Sequence, residues 1–306
     1  MQASSEHAAA SGGTFDAGSV IIGHVSNSSP EHALIHLPPV FGIDLSITKH
    51  VFMLWVVTGL VTLVVTTIVR RFLRQASPVP SRAMTALEIT VDFVRENIVQ
   101  PNVGHKWAAA WTPLLLTLFL FILFANAIGL FPIFDVLGLL DHWVLHTGDE
   151  SFLRRLIHGG TTATGNYNVT AALAMITFVT IIVAGSRAHG FVGHWKNLVP
   201  GGVPKALAVC LIPIEIMGML VRPFALTMRL AANMTGGHIA ILAILSFAFL
   251  FAELFGSAAG TGVGLAGSVL LAVPMSALEI IVVLVQAYVF TLLTAVFIGM
   301  AIHVHH

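Results

Sequence analysis

Hydrophobic residues fall into five long runs, separated by stretches where polar residues, glycine and proline collect. The first three runs cover 50–69, 112–131 and 169–186. Each is long enough to cross a hydrocarbon layer of ~30 Å as a helix. The last two, 206–254 and 264–302, are about twice the length a perpendicular helix needs. Neither contains a polar turn, so the pattern predicts two long tilted helices in a hairpin. Their separator is "GSAAGTGVGLAG", with the reversal near residue 260. Pro213, Pro223 and Pro274 are expected as kinks rather than ends. Residues 84–99 differ. Leu87, Val91, Val94 and Ile98 share one helical face while Glu88, Asp92, Arg95 and Glu96 point elsewhere. That is an amphipathic helix, lying on the membrane or packed on a partner. Trp107 and Trp111 suit interfacial anchors, and 186–205 reads as a loop broken by Gly and Pro. The fold class is an all-α polytopic membrane protein: a polar tail over 1–48 and a membrane domain over 49–306.

Composition agrees. The chain of 306 residues is 57% hydrophobic and 9% charged, against ~25% charged in soluble domains. Its formal net charge is zero, which implies no nucleic-acid partner. Cys210 is the single cysteine, so no intrachain disulfide or cysteine metal cluster forms. Residues 1–48 hold no Lys or Arg, so no secretory signal is expected there. Basic residues set the expected orientation. Arg70, Arg71, Arg74, Arg82, Arg95 and Lys106 follow the first span, and Arg187, Lys196 and Lys205 follow the third. The 132–168 loop holds only Arg154 and Arg155, beside four acids. The tail and that loop are therefore expected outside, and the C-terminus inside.

Several polar residues interrupt the apolar runs. Arginine keeps its charge and costs at least ~2.5 kcal/mol at a bilayer centre. Glu215, Arg222 and Arg229 are spaced by seven, and Asn233 follows Arg229 by four, so all four share one helix face. Arg222 equally suits an interfacial position, and Glu215 a simple pairing with it. Glu279 and Gln286, also seven apart, share a face of the last helix. Folding the two helices about residue 260 brings His238 and Glu279 to similar depth, where acid and imidazole form a proton relay. Asn233 and Gln286 also suit plain interhelical hydrogen bonds. "GVGLAG" at 262–267 fits a dinucleotide-binding spacing, but no strand precedes it. The chain has no P-loop, zinc spacing or nucleophile–base set; catalytic residues, metal ligands and cofactors are all expected to be absent.

"MRLAANMTGGH" at 228–238, "NAIGLFP" at 126–132 and "LEIIVVLVQAYVFTLLTAVF" at 278–297 resemble, in order, segments of the a subunit of F-type ATP synthases. The resemblance runs from about residue 45 to the C-terminus. It implies a non-catalytic F0 subunit in a bacterial plasma (inner) membrane, beside a rotating c-subunit ring and b-type peripheral stalk subunits. It implies that Arg229 faces the ring carboxylate. Asn233, His238, Glu279 and Gln286 then match positions linked to proton passage, and Glu215 an acidic position on the inner side. Some relatives carry an acid where this chain has Gly129, so the outer access path must use other groups; Asn126 is a candidate. The rival reading is a self-contained secondary transporter or channel with a buried Arg–carboxylate site.

Overall fold

The computed structural model describes residue 18 and residues 46–75, 79–130, 163–196 and 205–303. Most of the 1–48 tail, the charged part of the 132–168 loop, and the last three residues lie outside these. The described residues are overwhelmingly helical. They form α1 (Lys49–Leu73), α2 (Arg82–Asp92), a π-helical segment (Phe93–Val99), α3 (Gln100–Val103) and α4 (His105–Leu130). A 3₁₀ turn (Ala163–Gly165), α5 (Tyr167–His189), α6 (Phe191–Lys196), α7 (Lys205–Phe255) and α8 (Ser257–Ile302) follow. Five of the helices, α1, α4, α5, α7 and α8, are long and apolar enough to span a membrane. The chain is a multi-pass membrane protein.

Hydrocarbon offers no hydrogen bonds, so helices must satisfy their own polar groups. Threonines in the spans do this locally. Thr58, Thr112, Thr180, Thr291 and Thr294 each donate to the carbonyl four residues earlier, at 2.7–2.8 Å. Helix ends are capped: Ser81 Oγ accepts from the Met84 N–H, and Asn166 Oδ1 from the Asn168 N–H. Pro113, Pro213, Pro223 and Pro274 all lie inside helices.

The chain forms two compact units. One comprises 49–131, 162–232 and 283–306. Its core joins Val94, Ile98, Val99 and Val103 to Leu115 and Ile122 of α4, Leu226 and Leu230 of α7, and Phe290 and Ile298 of α8. Alanines fill many tight positions: Ala108, Ala174, Ala184, Ala287 and Ala295 are at most 2% exposed. Between lipid-embedded helices, packing of small residues replaces the aqueous hydrophobic drive. Gly299 is the closest case, because a Cβ there would collide with the Asn102 carbonyl oxygen.

The amphipathic segment departs from the expected α-helix over 84–99. It turns π-helical at Phe93, and the Gln100 N–H bonds the Arg95 carbonyl five residues back. The i→i+5 pattern stacks residues five apart. Val94, Ile98 and Val99 of this segment, and Val103 just after it, are all 0% exposed. Pro101, without an N–H, cannot continue that ladder. The apolar face of this segment packs on α4 of the same chain.

Two further expectations need correction. Trp111 belongs to the buried core rather than an exposed surface, with its indole N–H unpartnered; six residues of α4 precede it. Nor is 186–205 simply a loop, since α5 runs on to His189 and α6 follows Gly190. His194 of α6 packs against Gly185, the only side-chain size that leaves it room. Burial, and secondarily the charge of His189, lower the His194 pKa and keep it neutral.

The other unit includes residues 233–282, the reversing ends of α7 and α8. Here "GSAAGTGVGLAG" is not a turn. Helix resumes at Ser257, and the reversal rests on Gly256 alone, at φ +88°. Only glycine adopts that value without strain. The remaining residues of the separator stay helical because a helix meets every backbone hydrogen bond in lipid and an open loop does not.

The Gly299 contact gives a test. Gly299→Ala meets backbone, which cannot rotate away, and should destabilise the chain by ~1–3 kcal/mol. Gly59, with nothing within 4 Å of an added Cβ, is the control. Thermal unfolding in detergent should fall for Gly299→Ala and hold for Gly59→Ala; equal midpoints would disprove the close approach.

Candidate functional site

In the 233–282 unit, α7 and α8 bring an imidazole and a carboxyl together. His238 Nδ1 lies 3.6 Å from Glu279 Oε1, with the side chains 24% and 3% exposed. This is ion-pair range rather than a hydrogen bond, and neither Glu279 oxygen has a hydrogen-bond partner. A carboxylate buried in this way needs a compensating charge to stay ionised. The expected pairing of these residues is therefore present, although the reversal sits at Gly256 rather than near 260. His238 stands 18 residues before the turn and Glu279 23 after it.

The carboxyl has room because position 237 has no side chain. A Cβ on Gly237 would stand 2.9 Å from Glu279 Oε1 and 3.3 Å from its carboxyl carbon. Residue-by-residue reading of the sequence missed this. The available signal was "GG" at 236–237, since each mid-helix glycine costs ~1 kcal/mol relative to alanine and so calls for a reason.

In the other unit, Glu215 and Arg222 form an ion pair of 3.5 Å, with side chains 43% and 21% exposed. The Arg222 guanidinium also lies 5.5 Å from the centre of the Phe297 ring. Arg222 is thus neutralised within the chain. Arg229, seven residues on, is different. It is exposed and makes no hydrogen bond or ion pair among the described residues. Asn233 is exposed as well, whereas Gln286 is 5% exposed on α8. Asn126 is fully buried near the end of α4, where its Oδ1 accepts from Thr164 Oγ1 at 2.5 Å and its Nδ2 has no partner. Among the described residues no cluster of three or more His, Cys, Asp or Glu could hold a metal ion.

An unpaired cation on a membrane-length helix and a buried acid–imidazole pair suit ion passage, and comparison with known proteins is consistent. The family model described as ATP synthase A chain matches residues 51–299. The chain belongs to the ATP synthase A chain family. The chain is 39% identical to ATP synthase subunit a 2 of Chlorobium luteolum over 294 residues, covering 93% of this chain and 76% of that protein. It is 36% identical to ATP synthase subunit a of Chloroherpeton thalassium, with 92% and 75% covered. ATP synthase subunit a of Anaeromyxobacter dehalogenans is 40% identical, covering 86% of this chain and 60% of its own length. Membership makes this a proton-translocating, non-catalytic membrane subunit of the ATP synthase.

Gly237→Ala tests the geometry of the pair. The added methyl should push the Glu279 carboxyl away from its seat and slow proton-driven ATP synthesis by roughly tenfold or more. Gly236→Ala, with nothing near the added Cβ, changes helix propensity in the same way without touching the acid. Equal rates for the two variants in membrane vesicles would show that the carboxyl position is unimportant.

Proposed function

We propose that this chain is the stator of the F0 proton path, holding Arg229 against a carboxylate of a rotating c-subunit ring. The observation that supports this is the exposed guanidinium of Arg229, which has no partner among the described residues of its own chain. A charge of that kind in hydrocarbon is costly, and a carboxylate on a neighbouring subunit removes the cost. Arg222, eased by Glu215 and Phe297, has no such need.

Two aqueous half-channels reach the membrane middle from opposite sides, offset around the ring. A ring carboxyl facing lipid must be neutral. Beside Arg229 it is favoured as the anion, so it gives up its proton there. The fixed cation also repels protons that would pass directly between half-channels. Protons must therefore travel with the ring, and a charge crossing 100 mV supplies about 2.3 kcal/mol. Glu279 and His238 serve the outer half-channel, and Asn233 and Gln286 are further polar positions linked to proton passage. Asn126 serves outer access, and Glu215 the inner half-channel. Residues 70–110 and 187–205 lie on the inner side of a bacterial plasma membrane, a reading supported by their excess of Lys and Arg. A b-type peripheral stalk holds the chain against the turning ring.

Arg229→Ala should abolish ATP-driven proton pumping while leaving the complex in the membrane. Arg229→Lys keeps a charge but loses the planar fork and its reach, and should fail in coupled synthesis too. Normal coupled synthesis by the alanine variant would sink the mechanism.

A double exchange tests the relay. His238→Glu alone sets two acids together, which disfavours joint ionisation, and Glu279→His alone removes the acid. The double variant restores one acid and one imidazole on opposite helices. Synthesis should recover well above either single variant, with a coupling of ~0.5–3 kcal/mol as found for contacting sites. Simple addition of the two losses would show that the residues act separately.

A further inference from the structure

The first helix carries a buried histidine that the mechanism above does not use. His50 is 6% exposed, and neither ring nitrogen has a hydrogen-bond partner. In α1 only Lys49, His50, Met53 and Val57 are buried, so only the first nine residues of this helix pack inward. α1 packs against both α4 and the 3₁₀ turn at 163–165. At that same turn Thr164 donates to Asn126 of α4, leaving the buried Asn126 Nδ2 without a partner. Asn126 and Thr164 are both 0% exposed. The end of the bundle where α1 begins, α4 ends and α5 begins thus gathers an imidazole with two unpaired nitrogens and an amide with one. Gly129, one turn beyond Asn126, is also buried and contributes no side chain.

Unpaired polar atoms in a packed interior are uncommon and mark a functional, water-binding or ionic role. A group of this kind also suits bridging water, which needs several polar partners close together. Imidazole is the side chain that exchanges protons near neutral pH, and it can accept at one nitrogen while releasing from the other.

We propose that His50 is a proton-transferring residue on the access path from the side where α1 begins, with Asn126 and Thr164 holding water beside it. The inference rests on the reading of the chain as a proton-translocating stator. A hydronium on that side gives its proton to the unprotonated ring nitrogen. The imidazolium releases its other proton inward to the water held by Asn126 and Thr164. The ring is then neutral again in its other tautomer, and a ring flip resets it. Lys49, itself 1% exposed, is the adjacent charged residue. The 163–165 turn has no titratable group, α4 carries His105 and Lys106 only in its first turn, and Arg82, Glu88 and Asp92 of α2 follow the opposite end of α1.

The test uses the assembled complex in vesicles, with the pH on the α1-start side varied between about 6 and 8 while the other side is fixed. His50→Gln keeps hydrogen bonding and loses titration. It should slow proton-driven synthesis by roughly tenfold or more and remove a titration step in the neutral range. His50→Glu, which can titrate, should recover much of the rate and move the step to lower pH. His50→Cys in a Cys210→Ser background should make synthesis sensitive to silver ion added from the α1-start side. The assignment is overturned if His50→Gln keeps the normal rate and pH profile, if Gln and Glu variants are equally slow with the profile unchanged, or if the cysteine is insensitive from that side. Arg229→Ala, run in parallel, separates the two levels. If it still couples, the stator reading fails; if it is dead while His50→Gln is normal, only the His50 assignment fails.

Discussion

Inside hydrocarbon every polar group needs a partner, because water is not there to supply one. A helix meets this for its backbone, which is why the described chain is built from helices and reverses on single residues such as Gly256. Threonine hydroxyls meet it by bonding back to their own helix. Ionisable groups cannot do so, and each requires a specific neighbour. Glu215 and Arg222 satisfy each other, with Phe297 beneath the guanidinium. Glu279 has His238. Arg229 is left exposed without a partner among the described residues. A cost of at least ~2.5 kcal/mol outweighs the few tenths available from ordinary surface contacts, so the exposed charge carries more functional information than the buried core.

Packing between the helices follows a second rule. Lipid is as apolar as leucine, so burial alone does not hold spans together. Close approach does. Alanines at 0–2% exposure and Gly299 against the Asn102 carbonyl let backbones come near. The same use of a missing side chain appears at the acid–imidazole pair, where Gly237 leaves space for the Glu279 carboxyl. Glycine thus serves packing in one unit and the position of a charge in the other. The π-helical turn before Pro101 is a third device, changing the residue spacing where Val94, Ile98 and Val99 all reach the core.

Burial also separates polar residues of similar appearance in the sequence. Asn233 and Asn126 both sit on apolar helices, yet one is exposed and the other is bonded to Thr164 with an amide nitrogen to spare. His50 and His238 likewise differ. His238 faces an acid across a hairpin, whereas His50 is packed at the start of α1 with both nitrogens unpaired.

By itself the sequence determined the helical, membrane-spanning character of the chain, because run length and the absence of charge are local properties that lipid tests directly. It also determined that Arg229 is a fixed charge in an apolar run, which can be read without coordinates, and that His238 and Glu279 come to similar depth, since they stand at similar distances from the glycine-rich separator. Tertiary structure alone decided where that reversal falls, because a run of glycines permits a turn at many places and only one residue takes φ +88°. It alone decided that Arg222 is neutralised and Arg229 is not, because a pairing seven residues along a helix, or onto Phe297 of another helix, depends on side-chain direction. It alone turned Trp111 inward and left His50 and Asn126 with unpaired nitrogens. Whether a polar atom is satisfied depends on contacts between segments distant in the chain, and no local pattern encodes them.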